Sequence, residues 1–236
     1  MPMTKEIEEP TRTAGDLAHL VTRAAIGSIP VIGAAGAELF AYVVQEPFER
    51  RREQWMREVG DRLAQLRDHA SIDVDKLRDD PLFTDTVLSA TQAGLRTQSD
   101  KKRQALMNIV ANSAKPGAPE EGVRMTFIRL VDEFTEWHLA LLALFEDPLK
   151  WFESRRVPAP DCVMGAPSSL VEAAFSELRD RRDLYDQWWR DLYTRGLVTT
   201  DQLHTGMSGR GMMAPRLTPL GRLFVQFIQA DDAKLG

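Results

Sequence analysis

The chain has 236 residues and a mass of 26.6 kDa, with 43% hydrophobic and 28% charged residues and a net charge of −5. These proportions exclude a disordered, fibrous or low-complexity chain, and the length allows a sizeable core. The single cysteine, Cys162, excludes an internal disulfide and fits a reducing cytoplasm, while a pI near 5.5 excludes coating of nucleic acid by bulk charge. The first residues carry Glu6, Glu8, Glu9 and Pro10 where a Sec-type leader would be apolar.

The first distinctive element is the stretch from Ala24 to Gln45, whose one charge is Glu38. It is long enough as a helix to cross a bilayer, about 33 Å. Gly27, Pro30, Gly33 and Gly36 interrupt it, and Glu38 opposes entry into hydrocarbon. Its composition predicts two short apolar helices joined near Ile29 and Pro30, with small residues permitting close helix approach. Buried core or self-association is the favoured role; release into a membrane at the periphery of the inner membrane is the alternative, with Glu38 as its gate.

A charged helix is expected from Pro47, its apolar stripe running through Phe48, Trp55, Met56, Val59, Leu63 and Leu66. Two further helices, Pro81 to Thr97 and Lys101 to Ala114, are preceded by the capping oxygens of Asp80, Ser99 and Asp100. The Lys115 to Gly122 segment is a loop by composition. Phe127, Leu130, Val131 and Phe134 then recur at helical spacing, and Thr135 caps a helix carrying His138, Leu141, Leu142 and Phe145. Four prolines between Asp147 and Pro167 predict a connector without regular structure over 148–167, separating a helical body (47–147) from a C-terminal subdomain (168–236), with 1–46 as an N-terminal segment.

In that last part, helices are expected from Ser168 to Leu178, from Arg181 to Arg195 and from Pro219, the last capped by Thr218. On the middle one, Leu184, Trp188 and Leu192 form one stripe and Tyr185, Trp189 and Tyr193 a second beside it. Gly196 suits a left-handed helix end, Leu197 and Val198 a strand, and Gly206, Ser208, Gly209 and Gly211 a loop tip. The run Leu192 to Val198, a Gly- and Arg-bearing interval and then Leu217-Thr218-Pro219-Leu220-Gly221 resembles the end of winged-helix domains of bacterial regulators. That resemblance implies a hairpin wing and a helix able to enter a DNA groove, with Arg182, Arg190, Arg195 and Arg210 as contacts. Residues 151–236 balance eleven basic against eleven acidic residues, so a winged helix here leans towards protein docking.

No catalytic constellation is visible. His19, His69, His138 and His204 lack ligand spacing, Cys162 has no partner thiol, and the Asp73, Asp75, Asp79 and Asp80 knot lacks the glycine and closing glutamate of a calcium loop. His138 reads as a packed or capping histidine, and no cofactor is indicated. Several runs, namely Ile29 to Gly33, Lys101 to Ser113 and Val131 to His138 leading into Leu141 and Leu142, resemble a loose group of bacterial proteins that includes the abortive-infection alpha family. The resemblance implies a role in phage defence. The sequence therefore predicts a mainly α multi-helix body with a winged-helix-like C-terminal subdomain containing one short β-hairpin. The function expected is non-enzymatic, by self-association or docking of a protein partner, with DNA-binding regulation and membrane insertion through Ile29, Pro30, Gly33, Gly36 and Glu38 as alternatives.

Overall fold

A computed structural model describes residues 46–70, 73–161 and 163–230. The chain is mainly α, with one short two-stranded antiparallel sheet among the described residues. The described residues from Arg51 onwards form one compact unit.

Helix α1 (Glu46–Ala70) follows the expected apolar period, but the buried members of its stripe are Trp55 and Val59. Met56, expected on that stripe, is 59% exposed, because it lies about 100° round the helix from Trp55. The Trp55 indole donates to Thr91 Oγ1 at 3.0 Å and its ring fills a notch at Gly94, where a β-carbon would lie 2.8 Å from the ring. Glycine thus lets α1 approach α3 (Pro81–Arg96) at this point.

Between them comes α2 (Val74–Arg78), where Asp73 accepts from the backbone N–H groups of Asp75 and Lys76, so part of the acidic knot serves as a helix cap. Asp80 caps α3 through the Leu82 N–H at 2.9 Å, with Pro81 in the first turn. Ser99 caps α4 (Asp100–Ser113) through Lys102 N–H at 3.2 Å. Helix α5 (Glu121–Glu133) packs on both α3 and α4. The buried faces of the three helices meet through residues such as Ala90, Leu106, Ile109, Phe127 and Val131.

The rest of the chain builds outwards from α6 (Glu136–Glu146) through α7 (Pro148–Arg155), β1 (Met164–Gly165), α8 (Ser168–Ala174), a 3₁₀ turn (Ser176–Leu178), α9 (Arg182–Thr194), β2 (Met207–Ser208) and α10 (Gly209–Met212). It returns to the body through α11 (Pro219–Ile228). That return is made by rings and amides together. Phe127 meets Phe224 edge-on at 5.1 Å and Phe227 at 5.8 Å. Asn108 Nδ2 donates to Ile228 O at 2.9 Å, and Asn112 Nδ2 donates to Phe227 O and Gln229 O at 2.9 and 3.1 Å. Asn108 and Asn112 share one face of α4 and satisfy carbonyls that the end of α11 leaves without helical partners.

Three local features differ from expectation. The 148–167 stretch begins as helix α7, because Asp147 accepts from Lys150 N–H and Pro148 occupies the first turn, where its missing N–H is harmless; Trp151 and Phe152 are buried there. On α9 the buried stripe is Tyr185, Trp189 and Leu192, leaving Leu184 and Trp188 half-buried and Tyr193 exposed. The sheet pairs Met164 with Ser208 and Gly165 with Met207, whereas Leu197-Val198 makes only a single bridge, Val198 to Leu217. Ser208 Oγ accepts from Gly211 N–H at 3.2 Å, so the glycine interval that was expected to be a loop tip winds into α10. Gly196, at φ +71°, does end α9 in the left-handed conformation, and Leu197 N–H then bonds back to Leu192 O at 3.0 Å.

Thr218 caps α11 through Gly221 N–H at 2.9 Å, which seats Gly221 directly on the carbonyl of Leu197. A β-carbon at Gly221 would overlap that backbone oxygen, while one at Gly122 would meet no atom within 4 Å. Urea unfolding should therefore find Gly221→Ala destabilised by about 1–3 kcal/mol or more, and Gly122→Ala unchanged or up to about 1 kcal/mol more stable. Equal effects at the two positions would contradict this packing.

Candidate functional site

His138, His204 and Tyr185 each hold a side-chain contact with a carboxylate elsewhere in the chain. His138, 5% exposed, stacks on Phe134 with ring centroids 4.6 Å apart. Its Nδ1 accepts from Thr135 N–H at 3.1 Å, which leaves the proton on Nε2, 3.4 Å from Asp191 Oδ2. This joins the start of α6 to α9, in line with a capping histidine. Burial holds the imidazole below its ordinary value of 6.5, against the opposing pull of Asp191, while Lys102 adds to the depression. His204 Nε2 lies 2.6 Å from Asp186 Oδ1, and Asp186 also takes Arg182 Nε at 3.3 Å. The Tyr185 hydroxyl donates to Glu172 at 2.9 Å; burial, with Glu172 adding to it, raises its pKa. Among the described residues no group of three or more His, Cys, Asp or Glu side chains is arranged to hold a metal ion.

The four arginines singled out from the sequence are not gathered together. Arg182 is paired with Asp186, and Arg195, at the far end of α9, reaches Glu133 at 2.5 Å. Arg190 is exposed, about 80° round the helix from Arg182. Arg210 lines a concavity. Ile29, Pro30, Gly33, Gly36 and Glu38 lie outside the described residues, and no described helix is long and apolar enough to cross a membrane.

That concavity is an open groove of about 850 Å³ between the start of α7, the strand following it and the β2–α10 segment. Its apolar wall is Leu149, Pro160, Met213, Ala214 and Pro215; its polar wall is Asp161, Ser208, Gly209, Arg210 and Gly211. Gly209 N–H donates to Val163 O at 2.9 Å and Met164 pairs with Ser208, so Val163 and Met164 flank the groove. Val163 at 90% and Met164 at 71% are the most exposed large apolar side chains described, and Leu149 on the groove wall is 54% exposed. Beneath the polar wall, the buried Arg216 guanidinium donates to Gly211 O and Met207 Sδ, both at 2.9 Å, and has no carboxylate partner. Burial lowers its pKa.

The groove itself was missed from the sequence. Its signal was present in the proline-spaced apolar residues Pro158, Pro160, Val163 and Met164 and in the run Met212-Met213-Ala214-Pro215, which lie in stretches without helical periodicity. Comparison with protein families, with curated proteins and with solved structures finds no match for this chain.

The pH dependence of stability follows from His138. The unfolded chain takes up a proton near pH 6.5 while the folded imidazole resists it, so stability falls as pH drops through that value and continues to fall until the depressed folded pKa is passed. Urea midpoints measured between about pH 7 and about pH 5 should decline for the native chain and decline less for His138→Gln. An identical slope in both would assign the acid sensitivity elsewhere.

Proposed function

We propose that this chain is a non-catalytic interaction protein that docks another protein at the groove between α7 and α10. The observation that carries the reading is the exposed Leu149 on the apolar wall of the groove, with exposed Val163 and Met164 tied by backbone bonds to Gly209 and Ser208 of its other wall. Exposed apolar side chains beside a groove are the usual mark of a protein contact. The engagement of His138, His204, Tyr185 and Asp186 in links between structural elements supports a binding role over a catalytic one.

The groove also has the rigidity that docking requires. Its Arg216 end is tied to the body by Arg216 N–H donating to Phe145 O at 2.9 Å, and the segment before β2 is tied to α8 by Ser168 N–H donating to Leu203 O at 2.9 Å. Little ordering entropy remains to be lost on binding.

A photo-crosslinking amino acid placed at Leu149 or Met164 and irradiated in the native cell should give the same discrete protein adduct from both positions. A control at Leu88, equally exposed at 52% but on α3, should not give that adduct. Indistinguishable products from all three positions, or none from the groove, would refute docking there.

A further inference from the structure

We infer that the segment received by the groove is acidic: a partner peptide carrying one or more carboxylates beside a large apolar side chain. This rests on the docking reading above and adds the chemistry of the occupant. The chain as a whole is acidic, with a net charge of −5, yet the two segments that build the groove run the other way. Over 147–161 and 206–216, Lys150, Arg155, Arg156, Arg210 and Arg216 outnumber Asp147, Glu153 and Asp161, and of these Arg210 and Asp161 line the groove itself.

The cations are not all equivalent. Lys150 is bound to Asp147 at 3.2 Å, and Arg155 lies over the Trp151 ring at 4.5 Å. Arg210 is exposed on the groove wall and makes no hydrogen bond or ion pair, so its five donors are open to an incoming carboxylate. Arg216 supplies the second, independent observation. It is 7% exposed, its Nε has no acceptor, and its two acceptors, a carbonyl and a thioether, are uncharged. A buried guanidinium with no counter-ion is costly, and the Gly211 carbonyl it holds is itself part of the groove wall. An anion seated on Arg210, the residue before the Gly211 carbonyl that Arg216 holds, is attracted by both charges. Asp161, exposed and also lining the groove, repels an anion placed beside it, so the peptide's acid is drawn to Arg210 and its apolar side chain meets Leu149 and the other apolar lining residues.

The apolar wall decides between the two anionic partners that arginines recognise. A nucleic-acid backbone makes no use of Leu149, Pro160, Met213, Ala214 and Pro215, whereas an apolar side chain next to a carboxylate uses both walls at once.

The test is selection of a displayed random dodecapeptide library on the full-length chain, followed by fluorescence anisotropy of the enriched peptides. The expected result is enrichment of sequences with Asp or Glu adjacent to Leu, Phe or Met. Their binding should weaken by about tenfold or more in Arg210→Glu and be lost in Leu149→Asp. Both positions are exposed, so neither variant should alter the far-ultraviolet circular dichroism of the chain. Enriched peptides without acids that bind Arg210→Glu as tightly as the native chain would overturn the acidic occupant while keeping the docking groove. Peptides indifferent to Leu149→Asp, or no enrichment at all, would overturn the docking reading as well. A labelled duplex DNA or single-stranded RNA that binds the native chain and fails to bind Arg210→Glu would replace the peptide with nucleic acid.

Discussion

Two asparagines on α4 and three phenylalanine rings between α5 and α11 close the fold. Asn108 and Asn112 reach backbone carbonyls at the end of α11, while Phe224 and Phe227 pack on Phe127, itself fully buried. The rings supply non-directional apolar burial and the amides supply direction. Once burial has brought α11 to the body, each amide accommodates only one rotation and one axial position of that helix. The Asn108 amide, 97% buried, does not compete with water in the folded state, and losing its acceptor would leave an unsatisfied polar group in the core, whereas Asn112 is half-buried.

With α11 fixed, the segments before it are fixed in turn. Gly221 holds the start of α11 against the Leu197 carbonyl, and Thr218 Oγ1 donates to Gly196 O at 2.7 Å, so the end of α9 and the start of α11 form one joint. From that joint, Thr199 N–H to Arg216 O and Arg216 N–H to Phe145 O, both 2.9 Å, carry the chain back across α6. The groove is the surface left where this returning strand of chain, the β1–β2 pair and the start of α7 fail to fill the space between them. Its position is thus a consequence of the closure and not of any strong local preference in residues 206–216.

The parts legible in the sequence are those governed by local physics. Asp80, Ser99 and Thr218 cap the helices they precede, and Gly196 ends α9 left-handed, because each such choice is made within about four residues. The mainly α class followed from periodicity, while one short antiparallel pair was expected from the winged-helix resemblance with a strand at Leu197-Val198 and forms instead between Met164-Gly165 and Met207-Ser208. The partners of the strands did not, because Met164 finds Met207-Ser208 through forty intervening residues whose path depends on α8 and α9. The same limit applies to the groove: Leu149, Pro160 and Met213 are unremarkable in sequence and become a surface only when the joint at Gly221 places them side by side. Arg210 was expected as a nucleic-acid contact in a glycine-rich loop tip and lies instead on the short helix α10, lining a groove that also has apolar residues. Arg182 and Arg195 show why a count of basic residues is a poor guide, since each is held by a carboxylate that only the fold brings near.

The bond between Asn108 and Ile228 spans 120 residues of sequence. During synthesis the chain emerges from its N-terminal side, so α3, α4 and α5 are available to pack on one another long before α11 exists. Their shared face, including Phe127, then stays open to water until residue 228 has left the ribosome. Contacts of such long range slow the final closure as well as delaying it. The groove lies among segments that α11 helps to hold, so it gains its final support only when that helix has docked. On the proposed reading, binding at the groove would then report that the whole of α11 has been made and has found its place.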